Sequence, residues 1–198
     1  MAQRLSIDNI NFYVQVNYGD IQRRVWNKVF GLNEILQTDY EGDNDCTLTS
    51  ITEITKFYSK TSKSEDMIYN DVKSIAKKYC YTDSFGTLTI TINKIVNKVN
   101  ELYNIKKKSK CAYIKGIGFN IKTLLELVTN ETPLMLNMMN DGNGYYKNHT
   151  VTVVGVVDYV LSNQKHIYIL EVHDNWSKKS SFIDYQKLSL ISSINYCK

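Results

Sequence analysis

The sequence lacks the cysteine spacing on which many small metal and redox sites are built. None of its four cysteines, which are Cys46, Cys80, Cys111 and Cys197, belongs to a Cys-x-x-Cys pair. Such pairs are typical of structural zinc sites and thioredoxin-like motifs, so both classes are disfavoured. The spacing decides nothing about a disulfide among Cys80, Cys111 and Cys197. We expect a protein that uses no metal and no cofactor.

Long apolar runs are also missing. No stretch reaches the roughly 20 apolar residues that a membrane-spanning helix needs. Residues 1–6 lead into the polar Asp8 and Asn9, where a signal peptide would have its apolar segment. We therefore expect a soluble protein with no export signal in this chain. The compartment stays open, because a leader removed beforehand would leave the same sequence.

Strong charge of one sign is absent as well. The formal net charge is +4, and the one dense group of lysines lies at residues 106–110. Its neighbours do not resemble a groove-reading element or an aromatic stacking platform, and a short charge run usually lies on a solvated surface. We expect a solvated loop and no nucleic-acid partner. Salt-sensitive binding to nucleic acid would contradict this expectation.

The chain has 198 residues, of which 43% are apolar, and this suits the core of one domain. In its first two thirds, apolar residues recur at steps of three and four, which is the period of an amphipathic helix. Asp45 is placed to cap the second of these helices, which begins at Cys46. The predicted helices cover residues 20–37, 46 to about 58, 65–79, 91–103 and 121–129.

From Pro133 onward, short runs rich in β-branched residues replace the helical pattern. The order of helices first and strands second predicts an α+β fold. We expect a single domain in which a helical lobe of about residues 1–130 packs against a mainly antiparallel β lobe of about residues 131–198. The predicted strands cover residues 134–138, 149–157, 166–172 and 181–183.

Three residues stand where a thiol-dependent enzyme would need them. Cys46 opens a predicted helix, His149 opens a predicted strand, and Asp174 follows the end of the next strand. This order is that of a nucleophile, its base and the group that orients the base. The N–H groups at a helix start lower the pKa of a thiol from about 8.5 and can stabilise an oxyanion. Trp176 is placed to shield the histidine–carboxylate contact from water.

Each of these residues also has a purely structural interpretation. A single cysteine or histidine is more often packed in the core than catalytic. His166 and His173 compete with His149, although His173 is expected to point away from Asp174, its neighbour in the chain. A zinc site made from Cys46, His149 and Asp174 is conceivable by ligand type, but no short-spaced ligand pair anchors it.

Taken together, these segments resemble papain-like cysteine peptidases, and among them the bacterial branch related to bacteriocin-processing (double-glycine leader) peptidases. The resemblance covers residues 41 to about 185 and implies a papain-like fold and a peptide or protein substrate. It also implies a catalytic set of Cys46, His149 and Asp174, with Asn175 and Trp176 in support. The matching segments are residues 45–50, 132–136, 149–155 and 174–176.

Two positions depart from the pattern of that family. Thr47 follows the nucleophile where the family has glycine, and Glu41 and Tyr40 stand where it has a glutamine that serves as an oxyanion donor. An ionised glutamate cannot donate a hydrogen bond, and losing one oxyanion donor costs about 100- to 1,000-fold in rate. The remaining candidates for this donor are Asn44, Gln37 and the hydroxyl of Tyr40.

We expect a cysteine peptidase that works through a thioester on Cys46, with His149 as general base and acid and Asp174 orienting His149. A transglutaminase-like acyltransferase would use the same set of residues. A scaffold of weak or no activity that binds peptides or proteins is the alternative from a different class, and Glu41 and Thr47 favour it. The sequence decides neither the substrate nor the oligomeric state.

Overall fold

The computed structural model describes residues 7–40, 44–116, 119–138 and 148–198. Within these ranges the chain forms five α-helices and one seven-stranded sheet. The helices are α1 (Ile10–Tyr18), α2 (Cys46–Ser59), α3 (Glu65–Ala76), α4 (Ile92–Leu102) and α5 (Ile121–Thr129). The strands are β1 (Ile21–Lys28), β2 (Ser109–Tyr113), β3 (Leu134–Met138), β4 (His149–Leu161), β5 (His166–His173), β6 (Ser181–Asp184) and β7 (Ser193–Cys197).

The α+β class expected from the sequence is confirmed. Helices dominate the first part of the chain, strands dominate the last part, and the strand pairs of the sheet are antiparallel. No helix in the described ranges has both the length and the apolar character that crossing a bilayer requires.

The sheet is organised around β4. The strand order is β2, β7, β3, β4, β5, β6, and β1 pairs with β4 beyond the end of β3. Residues 149–153 of β4 pair with β3 and residues 155–161 pair with β1, so β3 and β1 follow one another along the same edge of β4. The other edge of β4 pairs with β5. This arrangement puts most of β4 in the interior of the sheet, while its first three residues pair with β3 alone.

Both faces of the first half of β4 are covered. Thr150 faces α2, where its hydroxyl lies 2.8 Å from that of Thr47. Val151 and Val153 face the opposite side and join a core that includes side chains of α5. Successive strand residues point to opposite faces, so a strand covered on both sides lacks a polar face. The run of valine and threonine residues after His149 has this origin.

α2 is held by two other helices. Leu48, Ile51 and Ile54 are spaced by three residues, which places them along one side of α2, and all three are buried among side chains of α3 and α4. Burying each such side chain stabilises the fold by roughly 1.5–3 kcal/mol. α2 is therefore fixed relative to α3 and α4.

The helix predicted over residues 20–37 is wrong. These residues form β1, then an irregular segment and a 3₁₀ turn at Gln37–Asp39. The apolar stripe does not share one buried face, since Val29 is 2% exposed while Val25 is 39% exposed. Backbone pairing with β4 stabilises the strand, and tertiary pairing overrides a helical period of this length.

Three further elements, α1, β2 and β7, were not predicted. The lysine cluster that we expected to be a loop ends inside one of them, because Ser109 and Lys110 begin β2. β2 and β7 pair with each other and contain five residues each, too few for a clear period. The other predicted helices and strands are confirmed, and β4 continues to Leu161, beyond its predicted end.

Gly155 of β4 lies where no side chain fits easily. A Cβ at this position would stand 2.7 Å from Oε2 of Glu171 and 3.2 Å from the carbonyl oxygen of Asn27. Glu171 is held in place, because Nε1 of Trp26 and Nζ of Lys28 donate to its carboxylate at 2.9 and 2.6 Å. We expect Gly155→Ala to lower the free energy of unfolding, measured by urea denaturation, by about 1–3 kcal/mol.

The control is the same substitution in a Glu171→Ala background. Removing the carboxylate relieves the closest contact, so the penalty of Gly155→Ala should be smaller there. An equal penalty in both backgrounds would contradict the steric explanation.

Candidate active site

Cys46 is the first residue of α2, as predicted, and it lines a cleft of about 510 Å³ in which it is partly exposed. Asp45 occupies the N-cap position, but the predicted capping bond is not made: its side chain forms no such bond among the described residues. Its buried carboxylate instead accepts hydrogen bonds from the hydroxyls of Tyr69 and Tyr81. The carboxylate is thereby drawn toward α3, away from the N–H groups at the start of α2.

His149, the first residue of β4, contacts both Cys46 and the segment after β5. Its imidazole is hydrogen-bonded to the thiol of Cys46. Its Nε2 lies 2.9 Å from the main-chain oxygen of Asp174. The indole of Trp176 stacks on the imidazole, with the ring centroids 4.2 Å apart and the planes inclined by 29°. The structure thus brings together the four residues that the sequence analysis selected from distant parts of the chain.

The hydrogen bond between His149 and Asp174 involves a different atom from the one expected. The main-chain carbonyl of Asp174 meets Nε2, while its carboxylate accepts from the Trp176 N–H at 3.0 Å and from Oγ of Ser181 at 2.6 Å. A carbonyl oxygen can only accept, so Nε2 carries the proton. Nδ1 then holds the lone pair of the neutral ring and is the nitrogen left for the thiol. The carbonyl fixes the tautomer that a base needs.

The thiol and the imidazole shift each other's pKa. Burial by itself raises the pKa of Cys46, but the hydrogen bond and charge of His149, helped by the backbone N–H of Thr150, lower it below its usual value. Burial by itself lowers the pKa of His149, but the bond and charge of Cys46, followed by those of Asp174, raise it. These opposite shifts favour a thiolate–imidazolium pair.

Thr47, one of the departures from the family pattern, braces this pair. Its hydroxyl lies 2.8 Å from that of Thr150, and both residues are buried. The Thr150 hydroxyl donates to Oδ1 of Asn137 at 3.0 Å, so the proton of the Thr47–Thr150 bond comes from Thr47. The bond joins the residue after Cys46 to the residue after His149. Thr47 therefore links the nucleophile helix to the histidine strand.

Asn175, expected only to support the site, joins several of its parts. Its backbone is left-handed, with φ at +63°, a conformation that asparagine tolerates better than most residues. Its Nδ2 donates to the carbonyl of Cys46 at 3.2 Å and to Oγ of Ser50 at 3.0 Å. Its carbonyl accepts from the Gln37 N–H at 2.7 Å, and its own N–H donates to Oε1 of Glu34 at 3.1 Å.

The four candidates for an oxyanion donor occupy different places. Gln37 is buried and lines the cleft together with Cys46. Asn44 also lines the cleft, but its Nδ2 donates to two loop carbonyl oxygens at 3.1 and 3.0 Å. Tyr40 stacks on a tyrosine of α3, with ring centroids 3.6 Å apart, and Glu41 lies outside the described residues. Gln37 is the candidate whose position fits the role.

The other two histidines have partners away from the cleft. His173 bonds Glu53 of α2, and Nδ1 of His166 lies 2.8 Å from a carboxylate oxygen of Asp158. All four cysteines carry free thiols. In the part of the chain that the structure describes, no group of three or more His, Cys, Asp or Glu side chains is arranged to hold a metal ion.

A comparison with protein-family models places this geometry in context. The model of the Peptidase_C39 like family matches residues 8–189, which include the helix that begins at Cys46, the strand that begins at His149 and the segment through Trp176. A search of curated proteins found no match. The resemblance to papain-like cysteine peptidases is confirmed at the level of the family.

The brace formed by Thr47 can be tested with an isosteric change. Thr47→Val removes the hydroxyl that bonds Thr150. We expect the free energy of unfolding to fall by about 1 kcal/mol. We also expect the pKa of Cys46 to rise toward its usual value, because the Thr47 side chain is among the groups that lower it and because the helix and the strand are no longer tied together. Urea denaturation and the pH dependence of iodoacetamide alkylation measure the two effects.

Thr49→Val is the matched control. Thr49 is buried in the same helix, but its hydroxyl donates within the helix to the carbonyl of Asp45 at 2.9 Å. This variant should lose stability and keep the wild-type alkylation profile. A Thr47→Val profile that matches the wild type would show that the brace does not act on the thiol.

Proposed function

We propose that this chain, which belongs to the Peptidase_C39 like family, is a cysteine peptidase that hydrolyses amide bonds through a thioester on Cys46. The observation that carries the proposal is the series of contacts from the Cys46 thiol to the His149 imidazole and on to the Asp174 carbonyl, beside an open cleft. Family membership supports thiol peptidase chemistry in general. The roles given to individual residues are part of the proposal.

In the first half of the reaction, the thiolate of Cys46 attacks the carbonyl carbon of the substrate and forms a tetrahedral oxyanion. The imidazolium of His149 donates its proton to the departing amine nitrogen as the carbon–nitrogen bond breaks, which leaves a thioester. Neutral His149 then takes a proton from water, which attacks the thioester, and the proton passes to the sulfur as the acid is released. The carbonyl of Asp174 holds the ring in the required tautomer throughout.

The oxyanion is assigned to Gln37 and the backbone N–H of Cys46. A glutamine side chain has two amide N–H donors, and the first N–H groups of a helix have no partner within the helix. Gln37 and Cys46 line the same cleft, and Asn175 ties the backbones of both together. This role for Gln37 removes the need for a donor at Glu41.

The cleft suits a peptide segment that is uncharged near the reacting bond. Its described lining contains no Asp, Glu, Lys or Arg, and it includes the exposed apolar side chains of Phe85 and Leu88. Transfer of the acyl group to an amine would use the same thioester, with the amine in the place of water. The difference lies in which nucleophile reaches the thioester.

Selective alkylation tests the thiolate. Near neutral pH, limiting iodoacetamide should label Cys46 before the more exposed Cys80 and Cys111, because the pKa of Cys46 is lowered by His149 while burial raises that of Cys111. Mass spectrometry of the digested protein locates the label. His149→Ala should remove this preference, and Cys46→Ala should abolish cleavage of a mixed peptide library.

Faster labelling of Cys80, Cys111 or Cys197 than of Cys46 would contradict the proposal and favour the binding-scaffold alternative. Products in which a peptide is joined to an added primary amine, formed in preference to hydrolysis, would favour the acyltransferase.

Because His149 contacts the main chain of Asp174, we expect a change of the Asp174 side chain to cost less activity than in a triad whose carboxylate bonds the ring directly. Asp174→Asn keeps the carbonyl and can still accept from the Trp176 N–H, so the tautomer of His149 survives. We expect the loss of kcat for peptide cleavage to fall well short of the roughly 10,000-fold loss that follows when a directly bonded triad carboxylate is neutralised.

Ser181→Ala serves as the control, since it removes a partner of the Asp174 carboxylate and leaves the main-chain carbonyl of Asp174 in place. It should leave kcat close to that of the wild type. A loss on the full triad scale for Asp174→Asn would mean that the carboxylate itself orients the ring.

A further inference from the structure

The peptide group between Asp174 and Asn175 has a hydrogen bond at each end. Its carbonyl oxygen accepts from Nε2 of His149 at 2.9 Å, and its N–H donates to Oε1 of Glu34 at 3.1 Å. A carboxylate, a peptide group, an imidazole and a thiol therefore stand in series. No motif in the sequence marks Glu34, and nothing in its local pattern distinguishes it from other glutamates.

We infer that Glu34 is a positioning residue that acts on His149 through the peptide group joining Asp174 and Asn175. The inference rests on the Cys46–His149 pair proposed above. The nitrogen and the oxygen of a peptide group are conjugated, so an acceptor at the N–H increases the negative charge on the carbonyl oxygen. An ionised acceptor does so more strongly than a neutral one. The carbonyl then binds the imidazolium of His149 more tightly.

The surroundings of Glu34 suit this role. Its Oε2 is buried and has no hydrogen-bond partner among the described residues, and its Oε1 accepts from the Asn175 N–H. Titratable groups face it from the end of β5 and from α2: His173, Asp174 and Glu53. The segment that carries Glu34 is anchored directly after it, because Ile35 is buried and the Gln37 N–H bonds the Asn175 carbonyl.

Glu34 titrates in a range where its charge can matter. Burial raises its pKa to about 8, and Asp174 and Glu53 add to this, while His173 and the Asn175 N–H oppose it. Glu34 is thus mainly neutral below about pH 8 and mainly ionised above it. Its effect on His149 should be weak at neutral pH. It should be strong on the alkaline side, where Glu34 is ionised.

The test is the titration of His149 in the full chain, followed by NMR of the imidazole Cε1–H between about pH 5 and 10, a range that spans these groups. The chain has three histidines, so the signals can be assigned with single variants. Glu34→Gln keeps an acceptor oxygen for the Asn175 N–H and removes the charge. We expect it to lower the pH at which His149 loses its proton by about 0.5 unit or more.

The pH dependence of the rate of Cys46 alkylation is a second, kinetic test of the same effect. Wild type and Glu34→Gln should react at equal rates below about pH 7, where Glu34 is neutral in both. Their profiles should separate on the alkaline side. Glu126→Gln, an exposed glutamate of α5, makes the same change in charge and should titrate as the wild type does.

Glu34→Asp distinguishes an effect transmitted through the peptide group from an effect of the charge alone. This variant keeps the charge but moves it away from the Asn175 N–H. We expect it to shift the His149 titration as Glu34→Gln does. A wild-type titration for either Glu34 variant would overturn the inference. If instead Cys46→Ala fails to lower the pKa of His149, the Cys46–His149 pair itself is wrong, and the proposed function fails separately from the role of Glu34.

Discussion

The antiparallel register between β4 and β5 is the constraint on which the site depends. Thr152 pairs with His173, so the first residue of β4 lies beside the first residues after β5, and His149 meets the carbonyl of Asp174. A slip of one residue would turn every side chain of β4 to the opposite face. Because β4 is buried on both faces for most of its length, such a slip would take Thr150 away from Thr47 and turn it into the apolar core that includes side chains of α5.

Main-chain groups make several of the polar contacts to the thiol and the imidazole in this site. The carbonyl of Asp174 orients the imidazole, the N–H of Thr150 helps to lower the pKa of Cys46, and Asn175 holds the backbones around them. Such groups are fixed by the fold, so they lose little entropy when they bind a charge. In a cleft whose described lining contains no Asp, Glu, Lys or Arg, their dipoles are less screened than they would be in water. A thiolate–imidazolium pair can then persist without a carboxylate in direct contact with the ring.

The elements that hold Cys46, His149 and Asp174 were the ones that the sequence predicted best. α2 has a sustained helical period, and β4 and β5 are long runs rich in β-branched residues, so local preference and burial agree in them. β1 was mistaken for a helix, since the spacing of its apolar residues fits a helical stripe and its partner is more than a hundred residues away. Where local preference is weak, pairing with a distant strand decides the secondary structure of the segment.

The sequence by itself determined the α+β class, the family resemblance, and the order of cysteine, histidine and acid along the chain, because these follow from local period and residue type. Only the tertiary structure decided which atoms meet. It put the main-chain carbonyl of Asp174, and not the carboxylate, against His149, placed Gln37 in the cleft with Cys46, and placed Glu34 behind the same peptide group. These choices depend on distances between segments that are remote in the chain, and no local pattern of residues encodes such distances.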